Sequence, residues 1–284
     1  MHRTGQRTIP RTPLGKKGKS MMAAKKRISG TREWATHNIN CITGCSHNCR
    51  YCYARAMAVK FGRATLESWP VEKLRPAEVR KRQPHVEGTV MFPTTHDITP
   101  QNVEPCLQVI GKLLDAGNRV LIVSKPHWLV IAAITLRFML QRDQILFRFT
   151  IGSTDDGILS YWEPGAPPYA ERLASLKHAH SAGYETSVSI EPMLDAPGLD
   201  RLITDIRPLI TDSIWIGKMN HIRFPIPVDP EGHCFHVAVI AAGQTDGSIR
   251  SIYNRYKGEP KIKWKESIKQ VVGLPLAQTA GEDQ

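Results

Sequence analysis

The sequence lacks any apolar run long enough to cross a bilayer, and its basic N-terminus lacks the apolar stretch of a secretory signal peptide. These absences argue against a membrane protein and predict a cytoplasmic one. Cysteine is also scarce, with six in 284 residues, and three of the six fall within residues 45–52. Such clustering in a cytoplasmic chain predicts metal ligands rather than disulfides.

Acidic residues are absent from the first 32 positions. Ten Lys or Arg precede Glu33, and the remaining 28 nearly balance the 26 Asp and Glu, so the net charge of +12 belongs mainly to this segment. Residues 1–32 also have few large apolar side chains, which predicts a disordered basic tail. Two interpretations stay open: the tail binds nucleic acid electrostatically, or it is a solvated leader.

The cysteine cluster forms a C-x3-C-x2-C array, since residues 44–55 read GCSHNCRYCYAR, directly before a segment of helical character. A structural zinc or a closed iron–sulfur cluster normally takes four protein ligands. Three ligands would leave one iron open to a small molecule. The alternatives are a zinc knuckle, free thiols, or closure by Cys41 as a fourth ligand; Cys41 could also be a small residue buried at a strand end.

Beyond the cysteines, apolar segments of strand length alternate with helical segments, which predicts parallel strands joined by right-handed crossovers. Six strands are too few for a complete eight-strand barrel. The expected fold is therefore α/β, a partial (β/α)6 TIM-like barrel over residues 33–222 with a C-terminal extension over 223–284. The predicted barrel strands are 38–40, 89–93, 119–124, 145–151, 185–190 and 213–216, and the predicted helices are 53–61, 103–116, 129–141, 169–182 and 199–209. In the extension we predict a strand over 236–242, a helix over 249–256, and disorder from Ala277.

Polar or ionisable residues follow every predicted strand of the barrel. Because functional residues of parallel barrels collect at the carboxyl ends of the strands, this pattern predicts a lined cavity there. After the cysteines, these segments are TTHD at 94–97, SKP at 124–126, STDD at 153–156, EPM at 191–193 and KMNH at 218–221.

The cysteine spacing, with an aromatic residue before the last cysteine, resembles the radical S-adenosylmethionine (radical SAM) superfamily. The flanking residues are similar to its spore photoproduct lyase-like branch. Three further segments resemble patterns of that branch: Thr94 to Asp97 with Pro100 one residue early, the pair Ser124 and Lys125, and EPGAP at 163–167. No dedicated hydrogen-donor cysteine is found by pattern, and Cys106 and Cys234 are candidates only by elimination.

The resemblance implies a set of site residues. Cys45, Cys49 and Cys52 would hold a [4Fe–4S] cluster, and Tyr51 would pack near the adenine of S-adenosylmethionine. Thr94 and Thr95 would contact the amino group of S-adenosylmethionine, and Lys125 would pair with its carboxylate. Ser153 and Thr154 would contact its ribose or methionine portion. Glu191 would bind the ribose or the substrate, and His96 and Asp97 would be acid–base or substrate groups. The alternatives are a loop aromatic for Tyr51, a solvated lysine for Lys125, a helix cap for Ser153 and Thr154, and a hydrogen-bonded turn for His96 and Asp97.

The implied activity is reductive cleavage of S-adenosylmethionine, which gives a 5′-deoxyadenosyl radical that abstracts hydrogen from a substrate. It requires a one-electron reductant such as flavodoxin or ferredoxin. The sequence does not identify the substrate, for which nucleic acid is one class. A competing hypothesis is an iron–sulfur electron-transfer or redox-sensing protein without SAM chemistry. A third, a zinc-dependent nucleic-acid-binding module, leaves the barrel pattern without a purpose.

Overall fold

A computed structural model of the chain describes residues 28–220 and 230–283. Seven parallel strands form one sheet in the order β1-β4-β5-β6-β7-β8-β9, and β2 and β3 form a separate antiparallel pair. With helices flanking the sheet, the architecture is α/β and corresponds to a partial TIM-like barrel. In chain order the strands are β1 (His37–Asn38), β2 (Ile42–Thr43), β3 (Lys73–Leu74), β4 (Thr89–Phe92), β5 (Arg119–Ser124), β6 (Ile145–Thr150), β7 (Glu185–Ile190), β8 (Ile214–Ile216) and β9 (Ile262–Trp264).

Helices follow most strands of the sheet, as right-handed crossovers require. None of the helices within the described ranges is long and apolar enough to cross a membrane. The helices are α1 (Tyr53–Lys60), α2 (Pro76–Arg80), α3 (Val103–Asp115), α4 (Trp128–Arg137), α5 (Asp156–Trp162), α6 (Tyr169–Ser181), α7 (Leu199–Ile206), α8 (Pro230–Gly243), α9 (Asp246–Tyr256) and α10 (Glu266–Val272), with 3-10 turns at Gly30–Glu33, Met139–Gln144 and Arg207–Leu209.

The central strands are buried on both faces, which is why they appear in the sequence as nearly continuous apolar runs. One face contributes to the main core with the helices. The other carries a smaller cluster that contains Trp34 and Trp215. The guanidinium of Arg148 lies 4.6 Å from the Trp34 ring and 5.3 Å from the Trp215 ring. Through these cation–π contacts, the buried Arg148 guanidinium packs against the smaller cluster of Trp34 and Trp215.

All six predicted barrel strands are present, but the extension differs from the prediction. The strand predicted over 236–242 was wrong, because these residues lie within α8. A short apolar run does not distinguish a strand from a helix by periodicity alone. The structure instead adds β9, which pairs in parallel with β8. With only three residues between lysines, β9 is too short to give a periodic signal.

The two ends of the described chain meet. Glu33 is buried and its carboxylate lies 2.7 Å from Lys265 Nζ, which also donates to the Gly30 carbonyl at 3.1 Å. The fold therefore includes the last residues of the predicted tail. The N–H of Asp283 donates to the Glu33 carbonyl at 3.1 Å, and its carboxylate pairs with Lys269 at 2.6 Å. The expectation of disorder from Ala277 was therefore wrong. Residues 1–27 of the predicted tail and the predicted boundary between 222 and 223 lie outside the described residues.

Candidate active site

The three cysteines of the motif lie in the segment 44–52, called here the cysteine loop, between β2 and α1. The N–H of Cys45 donates to the Trp69 carbonyl at 2.9 Å. Cys52 is the N-cap of α1, and its Sγ accepts from the Arg55 N–H at 3.4 Å. The loop therefore comes after β1 with only the short strand β2 between them, and the N-terminus of α1 favours negative charge at Cys52.

The donor chemistry of the loop fits an iron–sulfur cluster. Cys45, Cys49 and Cys52 are all free thiols, and their charges would act on one another. Burial raises the pKa of Cys45 to about 12 and that of Cys49 further, so thiolates here require a compensating cation such as iron. Within residues 28–220 and 230–283, however, no three His, Cys, Asp or Glu side chains converge as a preformed metal site. The support for a cluster is therefore the kind and clustering of the donors.

The buried carboxylate of Glu163 contacts the cysteine loop through Tyr51. It accepts a hydrogen bond from the Tyr51 hydroxyl, and Arg172 Nη1 lies 2.6 Å away. Lys125 Nζ lies 3.9 Å from the same carboxylate and 5.6 Å from the Tyr51 ring centroid. Burial alone would raise the pKa of Glu163, but Arg172 and Lys125 outweigh burial and lower it. Burial likewise opposes the charge on Lys125, yet Cys49, Glu163 and Asp97 raise the pKa of this lysine.

The backbone after α5 also contacts the loop. The N–H of Gly165 donates to the His47 carbonyl at 3.0 Å, and that of Arg50 donates to the Trp162 carbonyl at 2.8 Å. A Cβ atom at Gly165 would lie 2.1 Å from the Ser46 carbonyl oxygen. Only glycine therefore allows this close approach, which explains the EPGAP segment noted in the sequence.

His47, inside the loop, connects it to the ends of β4 and β5. Its Nδ1 lies 3.2 Å from Asp97 Oδ2, and its Nε2 lies 3.0 Å from His127 Nε2. The Asp97 carboxylate also accepts from the Ser124 hydroxyl and from the Lys125 N–H. Burial opposes its charge, but His47, Lys125 and these hydrogen bonds outweigh burial and lower the pKa of Asp97. Asp97 is thus a well-coordinated carboxylate that joins two strand ends to the loop.

The other residue predicted to be catalytic, His96, is buried with both ring nitrogens engaged. Its Nε2 accepts from the Cys41 N–H at 3.3 Å, so Nδ1 carries the proton and donates to the Asp97 carbonyl at 3.0 Å. This geometry corresponds to the hydrogen-bonded turn considered above for His96 and Asp97. A catalytic role for either residue stays a prediction.

Thr94 and Thr95, predicted to contact the amino group of S-adenosylmethionine, are half-buried and positioned by Asn40. The Asn40 side-chain oxygen accepts from both N–H groups at 2.7 and 2.8 Å. Its amide nitrogen donates to the Thr94 hydroxyl at 2.7 Å. The two threonines therefore lie beside the segment that connects β1 to β2, just before the cysteine loop.

Ser153 and Thr154 follow β6, and Glu191 follows β7. The Ser153 hydroxyl accepts from the Asp155 N–H at 2.9 Å, while Asp155 itself caps α5. Glu191 lies 3.4 Å from the buried Lys265, and burial raises the pKa of Glu191. The structure thus brings Tyr51, Lys125 and Asp97 together at the cysteine loop. Ser153, Thr154 and Glu191 lie elsewhere, after the ends of β6 and β7.

Several residues that hold the loop were not among the sequence predictions. His47 lies within the motif and Glu163 within the EPGAP segment, so both were visible as sequence but not as contacts. Asn40 is the last residue of the first predicted strand, at the carboxyl end where site residues collect. Glu72, which binds Ser46, Thr99 and Asn102, lies in a segment without any recognisable pattern.

Comparison with known sequences gives distant relatives, and no family model matches the chain. It is 26% identical over 211 residues to the protein ORF301 of Acidianus two-tailed virus, covering 67% of this chain and 68% of that one. It is 25% identical over 198 residues to the protein MJ0683 of Methanocaldococcus jannaschii, covering 65% and 71%. Neither relative carries a description of its activity.

Solved structures with the same fold include mutants of spore photoproduct lyase. One gives a TM-score of 0.53 at 17% identity, over 81% of this chain and 76% of that one. Another, with bound AdoMet and dinucleoside spore photoproduct, gives 0.53 at 15% over the same shares. At the level of the fold, these matches confirm the resemblance indicated by the cysteine motif.

Proposed function

We propose that this protein is a radical SAM enzyme whose [4Fe–4S] cluster is held by Cys45, Cys49 and Cys52. The observation that carries the proposal is that the C-x3-C-x2-C loop follows β1, with only β2 between them, and contacts Asp97 beyond the carboxyl end of β4 in the parallel sheet. That is the end at which parallel barrels assemble their active sites. The likeness of the fold to spore photoproduct lyase supports it independently.

When bound, the reduced cluster supplies one electron that breaks a carbon–sulfur bond of S-adenosylmethionine and so starts hydrogen abstraction. The chain's part is to fix the thiols and orient the bound molecule. Glu163, His47 and Gly165 hold the cysteine loop in place through the contacts described above. The Lys125 ammonium lies beside Tyr51, where it can pair with the carboxylate of S-adenosylmethionine as a point charge.

Nucleic acid is the substrate class that we propose to test first, and flavodoxin or ferredoxin the class of reductant. Two observations support nucleic acid: the acid-free N-terminal segment with ten Lys or Arg, and the dinucleoside bound by one structural neighbour. We expect the full chain to bind an oligonucleotide in a salt-dependent manner, measured by fluorescence anisotropy. If a chain lacking residues 1–27 binds equally well, the tail is not the binding element.

The competing electron-transfer hypothesis requires a closed cluster, for which Cys41 was the candidate fourth ligand. The Cys41 side chain instead lies in the core, with its Sγ 3.8 Å from Cys106 Sγ. This contact favours the three-ligand arrangement, which leaves one iron for S-adenosylmethionine.

The direct test is an anaerobic assay for 5′-deoxyadenosine with dithionite as reductant. We expect the reconstituted protein to form it from S-adenosylmethionine and the Cys49→Ala variant to lose this activity. Cys234→Ala is the matched control, because Cys234 is an exposed thiol outside the loop. If cluster-loaded protein forms no 5′-deoxyadenosine, or if Cys49→Ala forms as much as the control, the proposal is wrong.

A further inference from the structure

Two thiols outside the cysteine loop face each other in the core. Cys41, which immediately precedes β2, and Cys106, in α3, are both fully buried, and their Sγ atoms lie 3.8 Å apart. They are 65 residues apart in the chain. Neither takes part in the cluster proposed above.

Neighbouring polar groups hold both residues in place. The Cys106 thiol donates to Asn102 Oδ1 at 3.3 Å, and the Cys41 N–H donates to His96 Nε2 at 3.3 Å. A metal site of two thiolates and His96 is disfavoured, because that backbone N–H already uses the ring nitrogen. In keeping with this, the described part of the chain contains no group of three such ligands.

We propose that Cys41 and Cys106 form a reversible disulfide that ties the start of β2, the strand leading into the cysteine loop, to α3. The S–S bond is about 2 Å long and the two sulfurs are now 3.8 Å apart, so rotation of the two side chains must bring them closer by about 1.8 Å. When Cys41 is ionised, the Cys106 S–H can turn from Asn102 Oδ1 to the Cys41 sulfur. This hydrogen bond lowers the pKa of the Cys41 thiol and so favours the nucleophilic thiolate.

A hydroperoxide is the class of oxidant that suits this buried pair, because hydrogen peroxide is small and uncharged. The Cys41 thiolate attacks the peroxide oxygen and becomes a sulfenic acid, releasing hydroxide, which takes up a proton to become water. The Cys106 thiol then attacks the Cys41 sulfur, forming the S–S bond and releasing a second water. In total, two thiols lose two electrons and two protons, and one hydrogen peroxide becomes two waters.

The disulfide would act on stability rather than on chemistry at the cluster. It would close a long loop of chain and so restrict the unfolded state. It would also fasten the strand that leads into the cysteine loop, so the loop's anchor would persist when oxidants remove the cluster. This role does not depend on the radical SAM activity proposed above.

Peptide mapping tests the proposal directly. Trypsin separates peptide 33–50, which contains Cys41, from peptide 83–112, which contains Cys106. Because Cys45 and Cys49 share the first peptide, the decisive sample is the full chain carrying Cys45→Ala, Cys49→Ala and Cys52→Ala. After treatment with hydrogen peroxide and alkylation in denaturant, we expect the two peptides to be linked, and dithiothreitol to separate them. The link must disappear when Cys106→Ser is added.

The wild-type chain provides a second readout that needs no substitution. Oxidation should raise Tm by about 5 °C, and dithiothreitol should reverse the rise. Fragmentation of the linked wild-type peptides should place the bond at Cys41. Separate alkylation of Cys41 and Cys106 after peroxide treatment, or a bond from either one to Cys234 or to a loop cysteine, would overturn the proposal.

Discussion

Glu72 binds Ser46 twice: its Oε1 accepts from the Ser46 N–H at 3.1 Å and from the Ser46 hydroxyl at 2.8 Å. On its other side the carboxylate accepts from the Thr99 hydroxyl and from the Asn102 side-chain N–H, both at 2.9 Å. The Ser46 N–H and the Asn102 side-chain N–H can only donate and contact different oxygens of Glu72, so the position favours a group that accepts through both oxygens. Glu72 thereby connects the cysteine loop to the segment between β4 and α3.

The first prediction concerns Glu72→Gln, which places an amide N–H against these donors. Mutation of a residue that orients metal ligands typically lowers metal affinity by about 10–100-fold. For Glu72→Gln we expect iron retention to fall about tenfold. Iron and sulfide are measured after reconstitution and gel filtration. Glu78→Gln, which removes only the surface pair with Arg75, is the matched control. Equal iron content in the two variants would show that Glu72 does not position the loop.

The second prediction concerns Glu163→Gln, which removes the charge facing Arg172 and Lys125. Arg172 is fully buried and would lose its carboxylate partner, so we expect the free energy of unfolding to fall by about 3 kcal/mol. Urea denaturation measures the change. Glu185→Gln serves as control, because its pair with Arg119 is exposed and such pairs contribute about 1 kcal/mol or less. Similar losses in both variants would contradict this assignment.

The third prediction follows from the lowered pKa of Glu163. An unfolded glutamate has a pKa of about 4.3, so its stabilising contribution is complete above that pH and is lost as pH falls through the folded pKa. The stability difference between wild type and Glu163→Gln should therefore be constant near neutral pH and shrink below about pH 4. Urea denaturation over this pH range tests the prediction, and a difference that grows on acidification would contradict it.

The fourth prediction uses Gly165→Ala. The added Cβ would meet the Ser46 carbonyl at 2.1 Å and His47 Cα at 3.0 Å, both backbone atoms that cannot move without the loop. Overpacking of this kind costs about 2 kcal/mol, and the displaced loop should also retain less iron. In Gly258→Ala, the control, no atom lies within 4 Å of the new Cβ. If Gly165→Ala matches this control in Tm and iron content, the close approach is not a constraint on the loop.

Much of the barrel could be predicted because its strands are buried and apolar. The bounds predicted for β5 and β7 agree with the structure, since each strand begins after a turn and ends at a polar segment. The C-terminal extension was harder to predict. The apolar run 236–242 fits a helix as well as a strand, and β9 is only three residues long.

The site could be predicted only where a local pattern marks it. The cysteines and the EPGAP segment are local patterns and were recognised as such. The contacts of Glu72 with Ser46 and of His47 with Asp97 join distant parts of the chain. In neither pair does the sequence around one residue indicate its partner. A single sequence carries no signal for such pairs, which is why the residues that hold the loop were missed.

In the cluster that we propose, one iron is open to S-adenosylmethionine. The most direct measurement is the electron paramagnetic resonance spectrum of the dithionite-reduced, reconstituted protein with and without S-adenosylmethionine. We predict a [4Fe–4S]⁺ signal that changes when S-adenosylmethionine is added and is absent in Cys49→Ala. A cluster signal that is unchanged by S-adenosylmethionine would mean that the iron is closed, and stoichiometric zinc with no cluster signal would contradict the account entirely.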